Sequence, residues 1–226
     1  MVGFLFALKN SQPFTFSIER FVFNVVYLVP FSAYEWYNVI YWTLAIEFQF
    51  YILIGLIYFF LASKNKATIY LVLLLFGASG FIITDNRFVF DYSTIFLQGI
   101  ILFLIKSAKI NFKTGVLFIG LCVCATVYLH SAEVAVFSAL TVIGIQYLET
   151  DRQSTKRFGE ISYSLYLTHG LMGGNLLYLL ARYTTGLLEK TLLLTGALGV
   201  SLFFAYLFWK LIENPARKLS KKINVA

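Results

Sequence analysis

The chain has 226 residues, 59% hydrophobic and 13% charged, with 18 Lys and Arg against 11 Asp and Glu for a net charge of +7. A soluble domain carries charge on about a quarter of its residues, so this composition excludes one and predicts a polytopic membrane protein with the lipid bilayer as its partner. The positive balance predicts no nucleic-acid partner, because the basic residues cluster between apolar stretches, where membrane topology places them.

Residues 1–8 are apolar, lack a basic leader and are too short for a signal peptide, so they read as the tail of a span. Residues 9–39 are mixed, and their one apolar piece, 21–31, falls short of the roughly 20 residues a span needs. It reads as an interfacial or re-entrant helix. Seven spans follow, at about 40–62, 67–84, 92–105, 114–129, 132–148, 158–181 and 191–212. The expected fold class is all-α, a polytopic transmembrane helix bundle of about seven full spans plus a partial N-terminal span. No internal repeat or linker divides it, so one domain over 1–226 is expected. Cys122 and Cys124, two positions apart in one apolar run, face nearly opposite ways on a helix and form neither a disulfide nor a metal pair. No metal site is expected.

The connections 63–66, 106–113, 149–157 and 213–226 carry Lys64, Lys66, Lys106, Lys109, Lys113, Arg152, Lys156, Arg157, Arg217, Lys218, Lys221 and Lys222, whereas the opposite connections carry only Arg87, Arg182 and Lys190. Basic residues mark the cytoplasmic side. The C-terminus is therefore expected inside and 9–39 outside, in a multi-pass protein.

Three stretches depart from plain hydrophobicity. The first, WTLAIEFQFY at 42–51, opens a span yet carries Glu47. A carboxylate in hydrocarbon costs several kcal/mol unless it meets a polar pocket or a partner. Thr43, Glu47 and Tyr51 recur every four residues and are expected to form one buried polar stripe. The second, FGEISYSLYLTHG at 158–170, spaces Ser162, Tyr166 and His169 on one face, with His169 about 16 Å along the helix, near the bilayer midplane. Two readings stay open: a packing seam with a hydrogen-bonded histidine, helped by the Gly170 to Gly174 spacing, or an imidazole poised for proton transfer. The third, LIENPARK at 211–218, places Glu213 among Lys210, Arg217 and Lys218, where a structural ion pair is the expected role, and Pro215 is expected to end the helix. His130 lies in a turn whose Ser131 is the expected cap of the next helix, and Asp91 reads as a solvated residue at a helix end.

In this order and spacing the three stretches resemble the integral-membrane acyltransferase-3 family, bacterial O-acyltransferases that modify cell-envelope sugars such as those of peptidoglycan and lipopolysaccharide. The likeness covers about residues 1–218. Trp42, Glu47 and Tyr51 match its first motif, Ser162, Tyr163, Tyr166 and His169 its second, and Glu213 and Pro215 its third. The resemblance implies a ten-span bundle in the bacterial inner membrane. It also implies acyl-CoA, usually acetyl-CoA, as donor substrate with no tightly bound cofactor, and a sugar or glycopolymer hydroxyl as acceptor. Glu47 and His169 are the catalytic candidates of this chain, with Trp42, Tyr51, Ser162, Tyr163, Tyr166 and Glu213 as substrate-binding or structural support. In a full-length relative an N-terminal histidine is the stronger candidate for the base, and Glu47 and His169 orient it or the substrate. Family members begin with further spans bearing a histidine and a basic pair, and nothing before Trp42 supplies that histidine. The expectation is an N-terminally truncated member, a truncated reading frame or fragment with 1–8 the remnant of its third span; a separate chain supplying the missing helices is the split-enzyme alternative. The alternative is a non-catalytic membrane protein, a transporter or the structural partner of a split acyltransferase.

Overall fold

Each of the seven apolar stretches folds as a helix, and unbroken length decides how far each reaches. The computed structural model describes residues 16–38, 40–148 and 153–223, without the side chains of 153–158 and 222–223. All regular structure among them is helical. Contacts group them into a first unit of Ser17–Trp36 with Tyr41–Glu149 and a second that includes Tyr37–Ile40 and Thr150–Ala226. The expected span remnant at 1–8 lies outside the described residues.

The first unit begins with α1 (Ile18–Val25), whose N-cap Ser17 accepts a hydrogen bond from the Arg20 amide at 3.3 Å. Eight residues make about 12 Å of helix, too little to cross a bilayer. A short helix was expected here. Arg20 Nε donates to the Glu35 carbonyl at 2.9 Å, and the buried Asn24 amide reaches the same oxygen at 3.3 Å. These bonds fold 17–36 back on itself.

Four helices pack around α4 (Ser93–Lys106): α2 (Tyr41–Leu61) and α3 (Lys66–Ile82) before it, α5 (Phe112–Leu129) and α6 (Ala132–Tyr147) after it. Asn65, Asn111 and Ser131 cap the starts of α3, α5 and α6, accepting from Ala67, Thr114 and Val134 amides. Each satisfies a donor that has no partner within its own helix. Lysines close the C-terminal ends of two helices, Lys109 Nζ donating to the Ala62 carbonyl after α2 at 2.7 Å and Lys106 Nζ to that of Ile145 in α6 at 3.0 Å. Cations are favoured where helix carbonyls point outward.

The apolar core is built by Ile69, Leu73 and Phe76 of α3 against Leu97, Ile100, Ile101 and Leu104 of α4, closed by Leu61 and Ile110. The α4–α5–α6 interface is polar instead. Thr126 Oγ1 donates to Thr94 Oγ1 at 2.9 Å, and Gln98 Nε2 donates to Ser138 Oγ at 3.1 Å. Polar side chains join helices this way where no water competes.

α4 ends in a turn whose Lys109 amide bonds to the Leu104 carbonyl and whose Ala108 amide bonds to that of Ile105, with Ala108 at φ 55°. This helix stop favours glycine, because a Cβ at positive φ costs about 1–2 kcal/mol. Ala108→Gly should therefore raise stability by about 1 kcal/mol, read as a higher Tm in a fixed detergent.

In the second unit α7 (Gln153–His169) packs along α9 (Leu187–Phe208). Between them lie a π-helical segment, Gly170–Gly174, a short α8 (Asn175–Leu180) and a turn at Ala181–Tyr183. A second π segment, Trp209–Glu213, joins α9 to α10 (Asn214–Ile223). Asn175 Nδ2 donates to the Leu171 carbonyl at 2.5 Å, replacing an amide bond within the first π segment. Beside the second, Pro215 has no amide to offer Leu211, so regular pairing fails there. The helix nonetheless continues to Ile223, contrary to the expected stop, because proline is tolerated in the first turn of the new segment.

The count of seven full spans is not supported. Among the described residues three helical stretches are long and apolar enough to cross a membrane: Tyr41–Leu61, Phe112–Leu129 and Leu187–Lys221. α3, α4 and α6 are apolar but have 17, 14 and 16 residues. At 1.5 Å per residue they reach about 21–26 Å, short of a hydrocarbon core of about 30 Å. The expected span at 158–181 stays helical to Leu180 through the π segment Gly170–Gly174 but is not among the three stretches long and apolar enough to cross.

Candidate functional site

Glu47 stands in the second turn of α2, where Leu44, Ala45 and Ile46 take the buried face. It is exposed on its unit, as is Tyr51, so the expected burial of this stripe is not what the fold shows. The four-residue spacing does bring the two together, the Tyr51 hydroxyl donating to Glu47 Oε1 at 2.5 Å. Their neighbour Gln49 clasps the turn after α3. Its Nε2 donates to the Arg87 carbonyl at 3.1 Å and its Oε1 accepts from the Val89 amide at 3.0 Å. In that turn Arg87 pairs with Asp85 at 2.6 Å, and these hydrogen bonds hold the Asp85 carboxyl below its ordinary pKa.

Trp42, one turn earlier, lies against Tyr92 with ring centroids 6.1 Å apart, and Tyr92 stacks on His130 at 5.7 Å. The imidazole Nε2 of His130 lies 3.0 Å from the Asp91 carbonyl, which only accepts, so this nitrogen carries the proton. His130 thus pins the α4 and α5 ends together.

The second candidate group lies in the second unit. Ser162, Tyr163, Tyr166 and His169 are exposed on α7. The seam with α9 and the segment after it runs instead through Ser164 and Thr168, both buried, and through Gly173. Ser164 Oγ donates to Glu213, and Thr168 Oγ1 donates to the Ser164 carbonyl at 2.8 Å. Glu213 is therefore the acceptor of a buried serine hydroxyl, not the expected ion-pair partner. The ion pair at this end joins Arg217 to Glu160 at 3.2 Å. Sequence reasoning missed Ser164, although it lies four residues from both Glu160 and Thr168 on the flank opposite Ser162.

Of the expected Gly170 and Gly174 pair, Gly170 is closely approached, by an Ile40 side chain 2.5 Å from where a Cβ would stand, while the approach of α9 falls on Gly173. A Cβ there would lie 2.2 Å from Ser201 Oγ and 2.9 Å from the Ala197 carbonyl oxygen, whereas at Gly174 the nearest atom is 3.9 Å away.

His169 closes α7 immediately before the π segment. Its Nδ1 lies 2.8 Å from the Tyr166 carbonyl and 3.1 Å from that of Leu165. Carbonyls only accept, so Nδ1 carries a proton, and in the neutral imidazole the lone pair is then on Nε2. The imidazole is held by its own helix with its basic nitrogen outermost. Ser162 Oγ donates to the Gly159 carbonyl at 2.8 Å.

No family model, curated protein or solved structure matches this chain.

Proposed function

We propose that the chain is a membrane O-acyltransferase that moves an acyl group, acetyl in the first instance, from cytoplasmic acyl-CoA to a hydroxyl of an exported or cell-envelope sugar. The observation that carries this reading is the fixed tautomer of His169, whose Nδ1 is tied to two backbone carbonyls. Nε2 is left as a general base on the motif that resembles the acyltransferase-3 family.

In this reading Nε2 of His169 removes the proton of the acceptor hydroxyl as its oxygen attacks the thioester carbonyl carbon. The carbon–sulfur bond breaks, the sulfur leaves as thiolate, and the imidazolium returns a proton to give free CoA and the ester. Within the first unit Glu47, steadied by the Tyr51 hydroxyl, and its neighbour Trp42 are the candidates for acceptor binding by the motif likeness alone. Ser162 and Tyr166 supply donors to the oxyanion, Ser162 after releasing the Gly159 carbonyl. Tyr163 and Glu213 support the helix that presents them. In this reading the protein sits in the bacterial inner membrane with its C-terminus in the cytoplasm, the side on which a tail bearing Arg217, Lys218, Lys221 and Lys222 is retained.

A second reading has its own observation. Glu47 is exposed on a helix long enough to span, and hydrocarbon does not accept a bare carboxylate. A separate chain of a few spans, covering Glu47, would make this protein one half of a split acyltransferase.

The test is acetyl ester content. The full chain is expressed in a bacterium, esters are released from its envelope glycans by mild base, and Glu47→Gln and His169→Ala are compared at equal protein level. The proposal expects esters that both substitutions remove. Esters unchanged by both would end it. Esters that appear only when a co-purifying short membrane protein is present would favour the split enzyme.

A further inference from the structure

Leu187–Lys221 forms one helical stretch of 35 residues. At 1.5 Å per residue it is about 52 Å long, against about 30 Å of hydrocarbon. Positions 191–209 hold no charged residue and alone account for about 28 Å. α10 therefore begins where the hydrocarbon ends.

Its composition is two-faced. NPARKLSKKI has four cations and no acid. On a 3.6-residue turn Arg217, Lys218 and Lys221 share one arc of about 100°, while Pro215, Ala216 and Leu219 share the opposite one. Arg217 is held by Glu160, but Lys218 and Lys221 are exposed. Leu219 is 61% exposed and, before the turn, Leu211 is 69% exposed, so nothing among the described residues covers the apolar side. An upright continuation would hold Leu219 in water. A helix turned onto the membrane surface puts that side in the acyl boundary and the lysines among phosphates. The π segment Trp209–Glu213 beside Pro215 is the kind of break at which helices bend.

We propose that α10 is a membrane-surface helix that turns at Trp209–Glu213 and grips anionic phospholipid headgroups through its cationic arc, Lys218 and Lys221. Short-range attraction between such basic segments and the negatively charged leaflet is well suited to the cytoplasmic side, and salt screens it. This requires only that α9 crosses the bilayer and is independent of the acyl-transfer reading.

The experiment is hydrogen exchange, read by mass spectrometry, on the full chain in nanodiscs of phosphatidylcholine alone or of phosphatidylcholine with phosphatidylglycerol. Backbone amides of 216–223 should exchange several-fold more slowly in the anionic discs at low salt, with α3 amides unchanged. High salt, which needs no variant, should erase the difference, and so should the combined substitution Lys218→Gln, Lys221→Gln. Equal exchange in the two lipids, or slowing that survives both high salt and the double substitution, would overturn the proposal.

Discussion

Replacing His169 by alanine should lower acetyl ester formation by about 10²–10⁴-fold at unchanged protein level, the range a positioned general base contributes. The size of the effect follows from how little else depends on this side chain. It is exposed at the end of α7, and its hydrogen bonds run only to carbonyls of its own last turn. Removing it leaves the Ser164, Thr168 and Gly173 seam untouched, so lost activity in a protein with an unchanged melting temperature assigns the loss to chemistry. A residual activity near that of the parent chain would mean that another group takes the proton.

Gly173→Ala should cost about 1–3 kcal/mol, the usual penalty for forcing a methyl into a filled interface. The new carbon would stand 2.2 Å from Ser201 Oγ and 2.9 Å from the Ala197 carbonyl oxygen, and the second is backbone that cannot rotate away. Combining it with Ser201→Ala should therefore recover only part of the loss, since that change removes the first clash and leaves the second. Gly196→Ala, where nothing lies within 4 Å, serves as the control. It should be neutral or stabilising by up to about 1 kcal/mol, because alanine is the better helix former. Thermal unfolding of the three proteins in one detergent reads all of this, and equal melting temperatures for the Gly173 variant and its parent would contradict the packing described.

The helices themselves were legible because the apolar runs stand out, and Ser131 caps α6 as expected; Asn65 and Asn111, which the sequence reading did not single out, do the same for α3 and α5. Span number was not. α3, α4 and α6 have the hydropathy of spans without the length, and the sequence alone does not separate a short buried helix from a crossing one. Ser131 and the Glu47 to Tyr51 contact followed from fixed spacing along one helix. Which face of α7 packs did not, since Ser162, Tyr166 and His169 form as good a polar row as Ser164 and Thr168. Only the approach of α9 and of Glu213 chooses the second row for the seam. Pro215 misled for a related reason, because a rule about interior prolines does not foresee a π segment that resets the turn just before it.

The most direct measurement uses oriented membrane vesicles carrying the full chain, a glycan acceptor on the opposite face and labelled acetyl-CoA added to one side. Labelled acetyl ester should form when acetyl-CoA meets the cytoplasmic face, and should disappear with Glu47→Gln or His169→Ala. Absence of ester with donor on either face, or equal labelling by the substituted chains, would contradict acyl transfer across the membrane.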